Sequence, residues 1–391
     1  MTERSDHPDP AGSIFDRPED FYHRGLDMVE SGKAAVTLGL MRKLALERPD
    51  DGLLGELAGL ITTHGVPGFH HGMLLDTSRN AAYRAAIERF APGRRVLDIG
   101  TGSGLLAMMA ARAGAAHVVA CEANPLIAAT AREIIAANGL ADRITVHALH
   151  SSKLDRARDL GGGAELIVSE IFHDNLVGEG VLPALDHARA ELGAPGAVLL
   201  PGRASLRVAL ADTSLFDADG EIGMVEGFDL APFNRHVSRT RNIAAESTRL
   251  KLRSAPVEPF EFDFAAEGSF AAQRRTTVNI ASSGGRITGV VQWLRLEFAA
   301  DLVYENRPLA GSVCENRPVA SPVYESRPLA SPVYESRPLA GGPHENLPGA
   351  DGPSHWTLRY TPLRSPRDTQ AGDVVRVGGW HDARSVVIWG E

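Results

Sequence analysis

Arg95-Val-Leu-Asp98-Ile-Gly100-Thr-Gly102-Ser-Gly104-Leu-Leu is the stretch on which the fold turns. Its apolar run Arg95–Ile99 reads as a buried strand, the glycines as a tight turn, and Leu105–Ala113 as a helix that Gly114 stops. The same grammar repeats outward. His117–Cys121 reads as a second strand, and Pro125–Ala137 as a helix closed by Asn138-Gly139. Ile144–Ala148 and Leu166–Ser169 read as further strands. Strand alternating with helix at this spacing predicts an α/β fold, a doubly wound, Rossmann-like parallel sheet with crossover helices, over residues 65–201.

On either side the pattern changes. Residues 1–18 are polar and Pro-rich and read as a disordered tail. Residues 19–64 carry apolar positions at helical spacing, Leu38, Met41, Leu44 and Ala45 on one face and Leu53, Leu54, Leu57 and Leu60 on another. Pro49-Asp-Asp-Gly52 separates the two runs, which predicts a helical hairpin. After Leu200 short strands joined by turns predominate, so residues 202–391 are predicted to form a second, all-β domain, with Ser283-Gly284-Gly285 as a hairpin turn. Within it, Val303-Tyr-Glu-Asn-Arg-Pro-Leu-Ala-Gly-Ser recurs at Val313, Val323 and Val333 and decays by residue 350, a period of ten residues. Regular proline disfavours helix and central strand, and the segment 303–350 reads as an insertion grown by duplication.

The chain has 391 residues, with 40 Lys+Arg against 49 Asp+Glu for a net charge of −9. At 43% hydrophobic and 23% charged residues it has the balance of a soluble globular protein, which excludes collagen-like and wholly disordered readings. No stretch approaches the roughly 18–20 apolar residues of a membrane span, and the N-terminus has no apolar signal-peptide core. A pI near 5.9 argues against a nucleic-acid coat. Cys121 and Cys314 are too few for a disulfide framework, and a reduced, cytoplasmic protein is expected.

Spacing in the turn selects the ligand. The dinucleotide fingerprint is G-x-G-x-x-G, whereas Gly100, Gly102 and Gly104 give G-x-G-x-G. Asp98 at the strand end would repel a pyrophosphate but suits a cationic sulfonium nucleoside. Glu122 ends the next strand, where a carboxylate can accept from ribose hydroxyls. The ordered set points to S-adenosylmethionine (SAM).

Around this core the chain resembles the protein arginine methyltransferase family, over roughly residues 65–391. Met73-Leu-Leu-Asp76-Thr-Ser-Arg79-Asn80 is similar to the segment in which that family's Arg grips the cofactor's methionyl carboxylate and an Asp positions it. Val96–Leu106 resembles its motif I, and Ala120-Cys-Glu122 its ribose-binding acid. Ser169-Glu170-Ile-Phe-His-Asp-Asn-Leu-Val-Gly-Glu179-Gly180 resembles its double-glutamate loop, the two acids nine residues apart. Ser354-His355-Trp356 is similar to its Thr-His-Trp loop. The resemblance implies a class I methyltransferase domain followed by a β-barrel. It also implies SAM held by Arg79, Asp98, Gly100, Gly102, Gly104 and Glu122, and an acceptor site built from Glu170, Glu179 and Trp356, with His355 paired to Asp76. His150-Ser151-Ser152-Lys153 stands where relatives often carry an acid near the adenine, so Ser151 and Ser152 are assigned to that end through their backbone. The paired tyrosines that usually cover the cofactor are missing, and His64-Gly-Val-Pro-Gly-Phe69-His70-His71 takes their place. The family's dimerisation arm would fall around Asp229–Thr248, which reads as short and polar, so a homodimer rests on the resemblance alone.

The chemistry explains the grouping. A guanidinium is planar, cationic and a poor nucleophile. Two carboxylates can hold it bidentately, aim one nitrogen and draw positive charge away from it. The acceptor is read as arginine in a protein or peptide. Free arginine or another small guanidine, a different nucleophile, and a non-catalytic scaffold are the alternatives. A tethered variant would present Arg307, Arg317, Arg327 or Arg337 of the repeats for self-methylation. His70-His71 have no third ligand at metal-site spacing, and no metal is expected.

Overall fold

The computed structural model describes residues 18–28, 34–66, 68–216, 222–266, 270, 273–308 and 354–391. The first seventeen residues of the tail and residues 309–353, which hold nearly all of the repeats, lie outside the described residues. The chain divides into two compact units.

The first unit comprises Met1–Phe172, Glu179–Arg203 and Asp263–Phe270. It opens with α1 (Pro18–Met28), α2 (Ala34–Glu47) and α3 (Gly52–Gly65), then α4 (Phe69–Leu75) and α5 (Thr77–Phe90). Next come β1 (Arg95–Ile99), α6 (Leu105–Arg112), β2 (His117–Cys121), α7 (Pro125–Ala137), β3 (Ile144–His147), β4 (Ala164–Ser169), α8 (Val181–His187) and β5 (Gly193–Leu200). The strands form one parallel sheet in the order β3-β2-β1-β4-β5. Val96, Leu97, Val118, Ala120, Leu166, Ile167 and Val168 are buried in it, as a sheet covered on both faces requires. The strand order reverses between β1 and β4, where the carboxyl ends of such sheets open a crevice.

The helices α2 and α3 flank the Pro49–Gly52 break, and a further helix, α1, precedes them. Leu54 is their buried anchor, packed with Tyr22, Leu26, Leu44, Leu57, Ala58 and Leu126 of α7. The apolar face therefore runs through Leu54, Leu57 and Ala58, while Leu53 and Leu60, expected on the same face, are about half exposed at 47% and 49%.

The second unit comprises His173–Gly178, Ala204–Phe262 and Ala271–Glu391. Its strands are β6 (Arg203–Thr213), β7 (Met224–Val225), β8 (Phe228–Asp229), β9 (Arg241–Ile243), β10 (Leu250–Leu252), β11 (Val257–Asp263), β12 (Gln273–Ala299), β13 (Leu302–Glu305), β14 (Leu358–Asp382) and β15 (Val386–Gly390). Eight of them make one sheet along the path β10-β6-β12-β14-β15, with β11 on β6, β13 on β12 and β9 on β14. Trp293, Val291, Leu358, Tyr360 and Ile243 form its core, and Trp293 Nε1 donates to Glu305 Oε1 at 2.6 Å. The antiparallel ladder of β12 and β14 runs from Gln273↔Asp382 to Gln292↔Arg359.

Ser283-Gly284-Gly285 does not turn the chain. β12 continues through Gly284 and Gly285, at φ 92° and 94°, which follow directly on a register shift between Ala281 and Ser283. The extra residue of that bulge lies on β14, between Ala371 and Val374, where Gly372 is at φ 93°. The ends of the repeat-bearing segment are tied together: Tyr304 Oη and Ser354 Oγ are 3.0 Å apart, and Asn306 Nδ2 donates to Trp356 O at 3.2 Å.

The β7–β8 hairpin begins upstream of Asp229–Thr248 and leads into the short 3₁₀ turn Ala231–His236. Met224, Phe228 and Phe233 stand 60–71% exposed there.

Candidate active site

Asp76 caps α5, its Oδ1 accepting the N–H of Arg79 at 2.8 Å. The cap fixes where the first turn begins and so where the Arg79 side chain leaves the helix. From that start Arg79 Nη2 donates to Glu170 Oε2 at 2.7 Å, with only 3% and 5% of the two side chains exposed. Arg79 Nη1 donates to Asn80 Oδ1 at 2.6 Å, and the guanidinium lies 5.2 Å from the ring centre of Tyr83, one helical turn on. Arg79 Nε is buried with no hydrogen-bond partner among the described residues. Glu170 itself follows the last residue of β4, and the buried Tyr83 hydroxyl donates to the carbonyl of Ser169 at 2.9 Å. Glu179 is exposed, just before the Gly180 that caps α8.

The glycine-rich turn lies at the end of β1. Gly100, Gly102 and Gly104 have φ of 71°, 54° and 84°. A Cβ on Gly100 would come within 2.5 Å of Ile171 Cγ2, so only glycine fits the turn. Asp98 is fully buried behind it and accepts from Thr101 Oγ1 at 2.6 Å. Burial pushes its pKa up to about 6 against the pull of Thr101, the Ala107 N–H and Arg79. Glu122 closes the other side, taking the N–H of Gly102 at 3.1 Å on one oxygen and that of Asn124 at 2.9 Å on the other. Each oxygen retains a lone pair for a further donor. Ser151 is buried at the start of a 3₁₀ turn after β3, and Ser152 is exposed beside His150.

These residues fit S-adenosylmethionine. The buried, unfilled Nε of Arg79 suits a carboxylate, and buried Asp98 suits a cation. Glu122 suits a pair of hydroxyls.

Of two further members of this constellation, Tyr83 is not singled out from sequence, and His70 is weighed there only as a metal ligand and as part of the departing segment. His70 on α4 lies over the turn, its Nδ1 4.0 Å from where a Cβ on Gly102 would stand, with Met73 Cε at 3.9 Å. Burial lowers the pKa of His70, and the carboxylate of Glu122 opposes the shift. Tyr83 carried a signal, since it follows Arg79 by one turn on the same helix face. His70 carried one only through its place in the departing segment.

In the second unit, His355 stacks on Trp356 at 4.1 Å and 37°, and the buried Trp356 ring also meets Tyr304 at 5.5 Å. Ser354 Oγ accepts the Trp356 N–H at 3.2 Å, and Glu246 takes the N–H of Ser354 at 3.0 Å. This pins the loop on both sides of His355. Among the described residues no three His, Cys, Asp or Glu side chains gather as a metal site, and no helix is long and apolar enough to cross a membrane. Cys121 is free and buried on β2, its thiol pushed up to about 12 by burial.

Comparison with known proteins agrees with this geometry. Residues 83–180 match the family model for ribosomal protein L11 methyltransferase (PrmA). An arginine N(omega)-methyltransferase of Streptomyces achromogenes subsp. streptozoticus is 39% identical over 252 residues, covering 63% of this chain and 69% of that protein. Protein arginine N-methyltransferase 7 of Oryza sativa subsp. indica is 34% identical over 261 residues, or 60% of this chain and 36% of the rice protein. Thus the chain spans about a third of the rice relative. Among solved structures, the Trypanosoma brucei PRMT1 enzyme-prozyme complex with AdoHcy aligns with a TM-score of 0.65 at 20% identity, over 83% of this chain and 93% of that one. Arabidopsis thaliana protein arginine methyltransferase 10 aligns with a TM-score of 0.60 at 19% identity, over 84% and 97%. The structural matches carry the fold. The Streptomyces match carries the lineage, and by it the chain belongs to the arginine N-methyltransferase family of class I S-adenosylmethionine-dependent methyltransferases.

Proposed function

We propose that this chain transfers a methyl group from S-adenosylmethionine to a terminal nitrogen of an arginine side chain, with arginine in a protein or peptide as the acceptor. The observation that carries the reading is the buried 2.7 Å pair of Arg79 and Glu170. It joins the residue assigned to the cofactor's carboxylate to the first of the two acids assigned to the acceptor, so both reactants are oriented from one rigid contact. The cofactor supplies an electrophilic methyl carbon on a sulfonium. Glu122 and the backbone of Gly100–Gly104 hold its nucleoside end, with Ser151 and Ser152 at the adenine. Glu170 and Glu179 hold the guanidinium by charge-assisted hydrogen bonds and leave one nitrogen free to attack. One proton leaves for each methyl gained, and His355 with Asp76 is assigned to receive it. Trp356 supports His355 through its stacked ring.

A second reading, free arginine as acceptor, is favoured by the Streptomyces relative, whose name specifies arginine without a protein. The exposed Met224, Phe228 and Phe233 support a homodimer through this hairpin, since so large an apolar patch calls for a partner. The β-rich unit is read as the substrate domain, a barrel like its relatives'. A free, buried Cys121 is consistent with a cytoplasmic setting.

Isotope-labelled SAM offered separately to a cell extract, an arginine-rich peptide and free arginine, with Glu170→Gln as control, tests the reading. Label in peptide or extract arginine that the variant loses supports the first reading. Label in free arginine alone establishes the second. Absence of label in all three overturns both.

A further inference from the structure

The loop that joins Glu170 to Glu179 is fastened at its middle. Asp174 Oδ1 accepts the N–H of Thr357 at 3.0 Å, and Asp174 Oδ2 accepts its hydroxyl at 2.8 Å. Thr357 directly follows His355-Trp356. A carboxylate that takes both donors of one residue fixes distance and rotation together. The loop is also built to hold one shape. Leu176 is fully buried in left-handed backbone at φ 74°, and its N–H donates to the carbonyl of His173 at 2.6 Å. Asn175, itself buried, accepts the N–H of Gly178 at 2.7 Å. A branched residue in that conformation persists only where its surroundings over-determine it. Arg359, two residues beyond Thr357 and half-buried, feels the Asp174 charge but forms no ion pair with it, so the carboxylate stays committed to Thr357.

We propose that Asp174 is a positioning residue for methyl transfer: its two-point hold on Thr357 fixes the shape of the loop that joins the two acceptor glutamates. The proposal rests on the arginine methyltransferase reading above. It assigns Asp174 no contact with either substrate, so its loss should disturb the acceptor and spare the cofactor.

The test compares Asp174→Ala, Thr357→Val, Thr357→Ser and the double variant Asp174→Ala/Thr357→Val with the wild-type chain. It measures kcat and KM for the arginine acceptor and, separately, direct SAM affinity. We expect Asp174→Ala and Thr357→Val each to lower kcat/KM for the acceptor at least about 20-fold, with SAM affinity within about twofold of wild type. Thr357→Ser keeps both donors and should restore most of the activity. The double variant should be no worse than Asp174→Ala alone, because Asp174→Ala already removes both hydrogen bonds, including the one that Thr357→Val removes. Additive losses, or SAM affinity falling in step with activity, would overturn the proposal, as would Asp174→Ala acting like wild type. Should Asp174→Ala fail to fold, the Thr357→Val and Thr357→Ser pair decides alone. A wild-type chain that methylates neither peptide nor free arginine overturns the reading itself, whatever the variants do.

Discussion

Glu170 and Glu179 are nine residues apart on one loop and sit in opposite surroundings. Glu170 follows a buried strand of the parallel sheet, is almost fully covered, and is paired to Arg79. Glu179 is exposed before a glycine and a short helix. The buried acid cannot change direction without leaving an unpaired arginine in the interior. The exposed one has room to adapt when the acceptor arrives. On the proposed reading, a clamp made of one fixed and one adjustable jaw would align its target with a single rigid element, the parallel sheet.

Breaking the fixed jaw should have the largest effect. Glu170→Gln is expected to lower kcat/KM by about 10³-fold or more and to cost about 3 kcal/mol of stability, because Arg79 keeps its charge and loses its partner. Steady-state kinetics and thermal unfolding of the same sample read both. Glu179→Gln should cost about 10²-fold in kcat/KM with no change in melting temperature. Equal melting losses in the two variants would erase the distinction between the jaws.

Asp98 sharpens the comparison, being a buried acid whose covering is not balanced by an ion pair at bonding distance. Its pKa, raised to about 6, means that the folded chain holds this proton longer than the unfolded chain does. The stability it contributes is therefore full below about pH 4 and lost as pH rises through about 6. Asp98→Asn should be more stable than wild type at pH 7.5, by an amount on the order of 2 kcal/mol, with the gap closing as pH falls. The same variant should bind SAM more weakly at pH 7.5, and titration calorimetry should show its affinity flat between pH 5 and 7.5 where the wild type gains. The smallest effect is expected on the exposed side of the molecule. Phe228→Glu should leave the unfolding free energy within about 0.5 kcal/mol of wild type. Sedimentation should then show it shifted toward monomer relative to the wild-type chain.

Much of this was legible in the sequence because the signals were local. The strand, turn and helix from Arg95 to Ala113 each announce themselves within a few residues, and the glycine spacing already favours SAM over a dinucleotide. Glu170, Glu179 and His355 became visible through their motifs. What stayed hidden depends on distance or on weak patterning. Asp174 and Thr357 are 183 residues apart and carry no shared signature. The middle of β14, Arg364 to Val374, is an almost wholly exposed ribbon containing Pro366, so it lacks the apolar alternation that marks a strand. Gly284-Gly285 reads as a hairpin because left-handed backbone commonly marks a turn, yet the strand runs on through it, and only the pairing with β14 tells the two apart. Leu53 and Leu60 show that hydrophobic residues on a short helix need not all face inward.

The stitching of Tyr304 to Ser354 and of Asn306 to Trp356 has an evolutionary consequence. These contacts set the two attachment points of the repeat-bearing segment from within the sheet, at residues that a duplication between them leaves in place. Duplication of a ten-residue unit there is expected to be close to neutral for folding, with copy number differing among otherwise similar chains. Removing one copy should leave both melting temperature and arginine methylation as they were, which makes this stretch a natural place to insert foreign sequence.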